Sequence, residues 1–578
     1  MSRSLTRRSI GLLGLMAAAT PAFAAGSPDA AFADFSKRYI DDIARQAPIT
    51  ATGLGDHRFD HELTDLSAKG RAKRLASARR MLKEADKFKA DQLSRENQVD
   101  LALVKNQLRY DIWTDQVLQS WAWDPQIYNG AAGSALYTLM AREFAPLSTR
   151  LQSAMARMEK LPKLLAQTRA ELVPARVPRI HAETVAKQNA GVMSIVDTMI
   201  TPHYLELAPL DQARLKRAAD ALRSAMVDHQ EWLDKTLLPA AKGDFRIGAK
   251  LYDEKLAFAL MSQLTRATIR TRAEASLKSA RAEMYAISVK LLGGPAGNEQ
   301  QTIEKALERA YVDHAPRTDL VKEATASLAQ ATAFVRAKDL ITLPSGPVKV
   351  IDMPEFQRGV SVAYCDSPGP LEKSLATFYA ISPIPDEWTP AQAESFLREY
   401  NRRGVQDICI HEAMPGHYVQ IFHANSHPSV LRAVLGSGAF IEGWACYAED
   451  RMALEGYMDH DPLFRLQQLK TRVRTITNAI LDQMVHVDGA SEAQVMTFLT
   501  VTAFQQEREA AGKWTRARLD STQLPSYFVG VSEHDALRAE MQAKLGRAFT
   551  EKGYHDKVLS YGSPPVRFAR AMMLDLPI

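Results

Sequence analysis

The residues best suited to chemistry lie in one short stretch, His411-Glu412-Ala413-Met414-Pro415-Gly416-His417, and in a later glutamate, Glu442. Two histidines and a separate glutamate are the ligand set of a hydrolytic zinc site, which leaves a fourth position open for water. Glu412, beside the first histidine, is placed to take a proton from that water. The pattern predicts one Zn²⁺ per chain and a metal-dependent hydrolase. The predicted ligands are His411, His417 and Glu442, and the predicted general base is Glu412.

The spacing of the two histidines conflicts with a regular helix. The usual zinc motif places its histidines four residues apart, whereas His411 and His417 are six apart. On an ideal helix, six residues rotate the second side chain by about 240°. Pro415 removes a backbone donor and Gly416 tolerates unusual backbone angles, so we expect a widened turn that returns His417 to the metal. Without such a turn the three ligands cannot meet.

A second predicted helix, over residues 433–457, carries the remaining ligand. Glu442 and Glu449 are seven residues apart, nearly two full turns, so both side chains lie on one helix face. Glu449 is then placed to accept a hydrogen bond from the ring of a ligating histidine, which would fix the orientation of that ring.

Each of these residues also has a structural explanation. His411 could be a hydrogen-bonded core histidine, and Glu412 could be an exposed helix charge. Pro415-Gly416 could mark an ordinary helix end, and Glu442 could be a cap or an ion-pair partner. The metal site is favoured because these features occur together, with the Pro-Gly pair where the histidine spacing has to be corrected.

The elements that must position these residues are mostly helical. Stretches rich in Ala, Leu, Arg, Lys and Gln repeat their apolar residues at intervals of three and four, as in 101–113 and 207–238. The motif itself lies in a predicted helix over residues 405–425. We predict a mainly α fold, and the length of the chain allows either one large helical domain or two fused lobes.

One region departs from the helical pattern. Residues 343–390 contain eight prolines and three runs that favour β-strands, at 348–353, 360–365 and 378–382. We predict a small inserted β-sheet close to the motif helix. Its edge could hold the backbone of a substrate peptide as an added strand. Alternatively, the sheet is a structural hairpin that caps the helices.

Residues 1–24 are predicted to be a signal peptide. Arg3, Arg7 and Arg8 precede an apolar run too short to span a bilayer, and Ala22-Phe23-Ala24 supplies a cleavage site. The Arg7-Arg8 pair is typical of twin-arginine export, with a general secretory signal as the alternative. We therefore expect a bacterial periplasmic or secreted protein, delivered by the export machinery. Residues 25–578 then form a helical hydrolase domain, with a catalytic core at about 343–578.

Charge, hydropathy and cysteine content exclude several protein classes. The full chain has a net charge of +5, and cleavage of the leader takes away three arginines, which leaves a charge of roughly +2. No basic run with interleaved aromatic residues occurs either, so no nucleic-acid partner is expected. No later segment has the long apolar run of a stable membrane anchor. Three cysteines, Cys365, Cys409 and Cys446, are too few for a disulfide scaffold. Cys409 and Cys446 could pair, or could be small buried thiols.

The motif residues resemble a known family signature. His411 to Gln420, read together with Glu442 to Glu449, is similar to the signature of a bacterial family catalogued as domain of unknown function 885. That family is usually grouped with the gluzincin-type metallopeptidases. The similarity extends over nearly the whole mature chain, with weaker motifs at residues 55–60, 246–252 and 554–562.

The resemblance implies the same zinc ligands and general base, and it adds further residues. Tyr527, in a Tyr-x-x-Gly pattern, would donate a hydrogen bond to the oxyanion of the tetrahedral intermediate, although a structural tyrosine is the alternative. Asp482 and His486 match an Asp-x-x-x-His pattern of the family. Four residues apart, they share a helix face and could line the cleft, pair with each other or have only a structural role. Together with Glu449, and with His555 in the last motif, they are the residues expected to support the site from outside the ligand set or to contact substrate.

Two positions depart from the family pattern. Asn478 stands where an arginine is expected, and Gln523-Leu524-Pro525-Ser526 replaces the usual Pro-Gly-Gln before the late tyrosine. Both departures bear on substrate preference and activity, and neither removes a predicted ligand.

Together with this resemblance, the sequence predicts a large, two-lobed helical protein of metallopeptidase type with a deep cleft. We expect it to be an exported zinc metallopeptidase that hydrolyses short or unfolded peptides through a metal-activated water. One alternative is a zinc amidohydrolase or esterase that acts on a non-peptide substrate. Another is an inactive periplasmic binding protein, which the intact Glu412 disfavours because a binder needs no base there. Peptide length, exo- or endopeptidase action and the native metal stay open, with cobalt and manganese as other candidates for the metal.

Overall fold

The computed structural model of the protein describes residues 26–359, 361–372 and 375–578. The predicted signal peptide and Val360, the first residue of a predicted strand, lie outside these ranges. Among the described residues, α-helices dominate and one small β-sheet interrupts them, which confirms the predicted mainly α fold. None of the described helices combines the length and the apolar character that a membrane crossing requires.

The chain is helical from the start of the described residues up to the sheet. Its helices here are α1 (Pro28–Gln46), α2 (Pro48–Leu54), α3 (Ala68–Ala85), α4 (Arg95–Trp113), α5 (Gln126–Met140), α6 (Leu147–Glu171), α7 (Arg179–Gln188), α8 (Ala190–Ile195), α9 (Pro209–Trp232), α10 (Leu238–Ala240), α11 (Gly248–Leu260), α12 (Arg266–Leu292), α13 (Glu299–Tyr311) and α14 (Leu320–Ala337). The predicted stretch 101–113 lies within α4, and 207–238 covers α9, one wide helical turn and the start of α10.

Three short strands form the inserted sheet. They are β1 (Val348–Asp352), β2 (Ala363–Asp366) and β3 (Thr377–Ile381). β3 lies in the middle, parallel to β1 and antiparallel to β2, and Tyr379 of β3 is opposite Val350 on one side and Cys365 on the other. β3 is buried along its whole length. The predicted sheet is therefore present, and β2 is an edge strand with no second strand partner among the described residues.

The remaining helices carry most residues predicted to be functional. They are α15 (Pro390–Glu399), α16 (Arg402–Glu412), α17 (His417–Asn425), α18 (Val430–Val434), α19 (Gly438–Leu454), α20 (Pro462–His486), α21 (Glu492–Thr497), α22 (Glu507–Leu519), α23 (Pro525–Leu545), α24 (Glu551–Leu559) and α25 (Val566–Leu574). The single helices predicted over 405–425 and 433–457 are each two helices, α16 with α17 and α18 with α19. Both divisions fall at glycine-containing turns, where the regular helical hydrogen bonds stop.

The hydrophobic core consists of separate clusters of buried side chains. The largest cluster packs the sheet against α14, α16, α19, α23 and α24, and it includes Tyr379 and Trp444. Another joins α5, α6, α8 and α9, and Phe356, which follows β1, inserts into it. The segment that contains the sheet therefore packs against both clusters.

Helices α19 and α23 approach each other closely because each has a glycine at the contact. A methyl group on Gly530 would stand 1.8 Å from the carbonyl oxygen of Ala439, and one on Gly443 would stand 2.3 Å from the carbonyl carbon of Gly530. Only glycine allows this approach. Glu442 precedes Gly443, and Tyr527 lies about one turn before Gly530. The crossing therefore sets the relative positions of two predicted site residues.

One histidine ties the N-terminal helices to the loop between β2 and β3. His57 Nδ1 lies 2.8 Å from Asp60 Oδ2, and His57 Nε2 lies 2.9 Å from Glu372 Oε1. The ring stacks on Phe144 with 3.7 Å between the ring centroids. Burial opposes protonation of the ring, but the carboxylates of Asp60 and Glu372 outweigh it and raise the pKa of His57 to about 9. The charged ring bridges carboxylates from two distant parts of the chain.

The stabilising effect of His57 should fall at alkaline pH. Its pKa is 6.5 when unfolded and about 9 when folded, so the bridge contributes fully below the lower value and is lost as the pH rises through the higher one. His57→Gln should lower the free energy of unfolding by about 1–2 kcal/mol near pH 6 and by clearly less above pH 9. Urea unfolding at both pH values measures this, with exposed His203→Gln as the control. An equal loss at both pH values would contradict the bridge.

Gly530→Ala should lower the free energy of unfolding by about 1–3 kcal/mol. The added methyl group would collide with the backbone of α19, and the collision is relieved only if α19 and α23 move apart. Gly130→Ala in α5 is the matched control. Its methyl group would meet no atom within 4 Å, and alanine favours a helix interior by about 0.5–1 kcal/mol. Thermal and urea unfolding compare the two variants. Equal stability of both would show that the close crossing is dispensable.

Candidate metal centre

A widened turn joins α16 to α17. The amide of Met414 donates to the carbonyl of Cys409, five residues back, at 3.1 Å, and the amide of Gly416 donates to that of Ile410, six residues back, at 2.9 Å. A methyl group on Gly416 would lie 1.9 Å from the carbonyl oxygen of His411, so a larger residue does not fit. The widened turn that the sequence predicts is confirmed.

Both ends of α16 are held by side chains. At its start, the side chain of Asn401 accepts hydrogen bonds from the amides of Arg403 and Gly404. Beyond its end, the buried indole of Trp444 on α19 donates from Nε1 to the carbonyl oxygen of Pro415 at 3.0 Å. These contacts fix the last turn of α16, which carries the first predicted ligand and the predicted base.

The widened turn brings the three predicted ligands together. His411 Nε2 and His417 Nε2 each lie 3.5 Å from the same oxygen, Glu442 Oε2. The two imidazole rings are nearly perpendicular, at 85°, with 4.7 Å between their centroids. The oxygen Glu442 Oε2 is buried and has no hydrogen-bond partner among the described residues.

These separations suit a tetrahedral metal ion. Ligand atoms at about 2.0–2.2 Å from a tetrahedral zinc lie roughly 3.4 Å from one another, close to the 3.5 Å between Glu442 Oε2 and each histidine nitrogen. A distance of this length is poor for a direct hydrogen bond. A buried carboxylate oxygen without a donor is costly unless a cation satisfies it. The residues therefore fit a metal ion held by His411, His417 and Glu442.

Glu449 fixes the first histidine. Glu449 Oε1 lies 2.6 Å from His411 Nδ1, which donates to it, and this leaves His411 Nε2 to face Glu442. The resulting tautomer directs the lone pair of Nε2 toward the site, as a metal ligand requires. Both glutamates reach the same imidazole, which confirms that they share one face of α19.

The ligand cluster attracts positive charge. Burial alone would raise the pKa of the Glu442 carboxyl, but the imidazoles of His411 and His417 outweigh it and hold this pKa well below its usual range. Burial also disfavours the charged form of His411, yet Cys446 and the carboxylates of Glu442 and Glu449 raise its pKa well above the usual value. A cluster that favours a proton this strongly favours a metal cation for the same electrostatic reason.

Glu412, the predicted base, lines the same cavity as the three ligands. It is the last residue of α16 and is buried, with 8% of its surface exposed. Across the described ranges, no lysine, arginine or histidine forms an ion pair with its carboxylate. Glu412 thus borders the same space as the ligand cluster, without an ion-pair partner among the described residues.

Two polar side chains orient the phenol of Tyr527. Arg516 Nη2 donates to Tyr527 Oη at 2.9 Å, and Gln523 Nε2 donates to the same oxygen at 3.3 Å and to Glu442 Oε1 at 3.2 Å. Because both neighbours donate, the hydrogen of the phenol itself can point into the cavity. Burial is the main cause of a raised pKa of Tyr527, so this hydrogen stays in place at neutral pH. The ring lies 6.2 Å from that of His411, centroid to centroid.

A cavity of about 610 Å³ connects these groups. Residues 361–365, which include part of the edge strand β2, form one section of its wall, and side chains of α20 and α22 form others. All lining residues fall between positions 358 and 527, inside the region predicted as the catalytic core.

Asp482 and His486 are not among the residues that line the cavity, so of the roles that the sequence left open their contacts favour a supporting one. Asp482 Oδ2 accepts hydrogen bonds from Tyr252 Oη at 2.6 Å and from the amide of Thr522 at 2.8 Å. His486 Nε2 lies 2.8 Å from the carbonyl oxygen of Ala517. Asp482 therefore holds the segment between α22 and α23 at Thr522, and His486 holds the end of α22 through the carbonyls of Ala517 and Asp520.

The geometry of α20 explains this difference. Arg474 and Asn478, earlier on the same helix, do line the cavity. Each step of four residues turns by about 40° around a helix, so residues 482 and 486 rotate progressively away from the face that Arg474 occupies. Asn478, where the family pattern has arginine, is buried, and its Oδ1 has no hydrogen-bond partner among the described residues.

His555 also lies outside the cavity wall and has a structural role. Its Nδ1 donates to the carbonyl of Leu340 at 2.8 Å, and its Nε2 accepts from Tyr447 Oη at 2.8 Å. Burial lowers its pKa to about 4, so the ring is neutral. Cys409 and Cys446 are buried free thiols, so the disulfide that the sequence left open does not form.

Several cavity residues were missed by the sequence analysis. Arg508, Lys513 and Arg516 on α22 line the cavity, and Gln523 contacts both Glu442 and Tyr527. The available signal was the helical spacing of three cations on α22. The same spacing is typical of a helix face exposed to solvent. Only the packing of α22 shows that its cations line the cavity instead of pointing into solvent.

Two solved structures share this fold. A Shewanella oneidensis protein of unknown function, assigned as a lipoprotein, is similar with a TM-score of 0.78 and 34% sequence identity, over 94% of this chain and 99% of that one. A Colwellia psychrerythraea protein, also assigned as a lipoprotein, has a TM-score of 0.77 and 16% identity, over 95% and 99% of the two chains. A search of curated protein sequences returns no match. The profile of a family described as bacterial protein of unknown function, DUF885, matches residues 48–573, and the chain belongs to this family.

Proposed function

We propose that the protein is a zinc metallopeptidase that cleaves short or unfolded peptides with a metal-activated water. The observation that carries this proposal is the placement of His411 Nε2 and His417 Nε2, each 3.5 Å from Glu442 Oε2, with Glu412 lining the same cavity. A purely structural zinc site usually has four protein ligands, whereas a catalytic site has three. Within the described residues, this cluster comprises three ligands, which leaves a position for water.

The side chains around the cluster have separate parts in the proposed reaction. A bound Zn²⁺ would lower the pKa of its water and polarise the scissile carbonyl. Glu412 accepts the proton of the attacking water and returns it to the leaving amine. Tyr527 donates its hydrogen to the oxygen that becomes negative in the tetrahedral intermediate, while Arg516 keeps the phenol oriented.

Two features favour a peptide as the substrate. The edge strand β2 contributes to the cavity wall, so an extended peptide could add to the sheet through backbone hydrogen bonds. The cavity of about 610 Å³ has room for a few residues and excludes a folded protein. Short or unfolded peptides satisfy both conditions.

Export is part of the proposal. It rests on the twin-arginine-like leader of the sequence and on the similar proteins assigned as lipoproteins. A periplasmic or secreted location would give the enzyme access to peptides outside the cytoplasm.

The purified mature protein should contain one zinc ion per chain. His411→Ala and Glu442→Ala should each lose the metal because each removes one of three protein ligands. Plasma mass spectrometry of the parent and both variants measures the metal content. Absence of stoichiometric metal even after zinc addition would overturn the metal centre and favour the binding-protein alternative.

Glu412→Gln should keep the metal and lower kcat for peptide hydrolysis by about a hundredfold to ten-thousandfold, because glutamine preserves the shape of the side chain but cannot accept the proton. Glu507→Gln, at the exposed start of α22, is the matched control and should behave as the parent. A peptide library, tested beside small amides and esters, supplies the assay. Cleavage of esters or small amides alone would favour the amidohydrolase or esterase alternative.

A further inference from the structure

One face of α22 forms a basic wall of the cavity. Five residues of this helix line it, at positions 508, 509, 512, 513 and 516. On a helix these positions span an arc of about 140°, which is a single face. Three of the five are the cations Arg508, Lys513 and Arg516, and one is the acid Glu509.

The cations of this wall have too few carboxylate partners. Glu509 is already engaged, because Tyr400 Oη donates to its Oε2 at 2.5 Å and Arg474 Nη1 lies 3.4 Å from its Oε1. Lys513 Nζ is 3.9 Å from the same Oε1, a weak ion pair. The single carboxylate of Glu509 therefore faces two cations, Arg474 of α20 and Lys513 of α22, and the two arginines of α22 add further positive charge to the wall.

The two arginines of the wall form no ion pair with a carboxylate of the described residues. Arg516 donates to the neutral groups of Gln523 and Tyr527. Arg508 lies over the ring of Trp388, with 4.1 Å between its guanidinium carbon and the ring centroid. An anion that reaches this wall would therefore meet two guanidinium groups that no carboxylate of the described residues pairs with directly.

Lys513 is the most unusual member of the wall. Only 7% of its surface is exposed, and burial lowers its pKa to about 7 in spite of Glu509 nearby. A buried ammonium without a close anion is costly, so a carboxylate placed beside it would stabilise its charged form. There is room for one, because a methyl group on neighbouring Gly512 would meet no atom within 4 Å.

We propose that the cations of α22 bind the free C-terminal carboxylate of the peptide, so that the enzyme removes one or two residues from the C terminus. This inference rests on the proposed function. Water adds to the carbonyl carbon of the scissile amide, the C–N bond breaks, and the leaving amine takes the proton. The product amine belongs to the short C-terminal fragment held by α22.

The position of the wall determines the length of this fragment. Arg516 touches Tyr527, whose ring is 6.2 Å from that of the ligand His411. Lys513 lies three residues earlier, about 4.5 Å along the helix axis. An extended peptide advances about 3.3 Å per residue. The step of about 4.5 Å from Arg516 to Lys513 equals between one and two residues of such a peptide, and on this spacing the proposal assigns one or two residues to the C-terminal fragment.

The test compares one peptide in four forms on the zinc-loaded protein: unmodified, N-acetylated, C-terminally amidated, and amidated with a glutamate as the last residue. Amidation should lower kcat/KM by about tenfold to a hundredfold, in line with the loss of a hydrogen-bonded charge pair, and N-acetylation should have little effect. Mass spectrometry should show release of one or two C-terminal residues. Equal cleavage of acid and amide would overturn the inference, as would full rescue by the glutamate side chain.

Variants of α22 assign the effect to its cations. In Lys513→Met the ratio of kcat/KM for acid over amide should fall toward one. Arg518→Gln is the matched control, because Arg518 lies on the same helix but contacts Trp514 outside the cavity wall, and the ratio should stay at the parent value. Arg508→Gln, at a partly exposed position, serves as a second variant if Lys513→Met does not fold. An unchanged ratio in a folded variant would overturn the inference.

Binding to the Glu412→Gln protein separates this inference from the proposed function. Calorimetry with the same acid and amide peptides should give about tenfold or more tighter binding of the acid. If the variant binds the acid peptide selectively but the parent hydrolyses neither peptide, the proposed peptidase activity is wrong and the carboxylate-binding site on α22 stands. If the parent hydrolyses both peptides without preference for the acid, the proposed peptidase activity stands and the carboxylate-binding site on α22 is wrong.

Discussion

The candidate site depends on the interruption between α16 and α17. A continuous helix would carry His417 about 240° away from His411, and the three ligands could not meet. The chain instead forms a widened turn, in which the amide of Gly416 reaches back six residues. Gly416 is required because any side chain would collide with the carbonyl of His411. Trp444 holds this turn from α19 through its hydrogen bond to Pro415.

The second requirement is the close crossing of α19 and α23. These helices supply the third ligand and the tyrosine, and neither residue can be placed by its own helix alone. Gly443 and Gly530 let the two backbones touch, which puts Glu442 and Tyr527 within reach of the same glutamine. Three consecutive residues of α19 thus have distinct roles, since Glu442 faces the histidines, Gly443 meets α23, and the next residue secures the widened turn.

The charges of the cavity are separated in space. The glutamates of α19 surround His411 and favour a cation there, whereas α22 presents Arg508, Lys513 and Arg516 with Glu509 as their only acidic neighbour on that face. An extended substrate with one negative end would complement this arrangement, with the negative end at α22 and the scissile bond at the ligand cluster. Binding energy from the charged end could then position the scissile bond at the metal centre.

The sequence by itself determined the mainly helical fold, the small sheet and the motif of His411, Glu412, His417 and Glu442, because hydrophobic periodicity and short motifs are local properties of the chain. It also predicted the widened turn, since the six-residue spacing of the histidines conflicts with a regular helix and the Pro-Gly pair permits the distortion that resolves this conflict. Only the tertiary structure decided which charged helix face lines the cavity. Residues such as Lys513 and the Asp482–His486 pair have the same local patterns as solvated or cleft-facing residues, and the packing of their helices sets their surroundings.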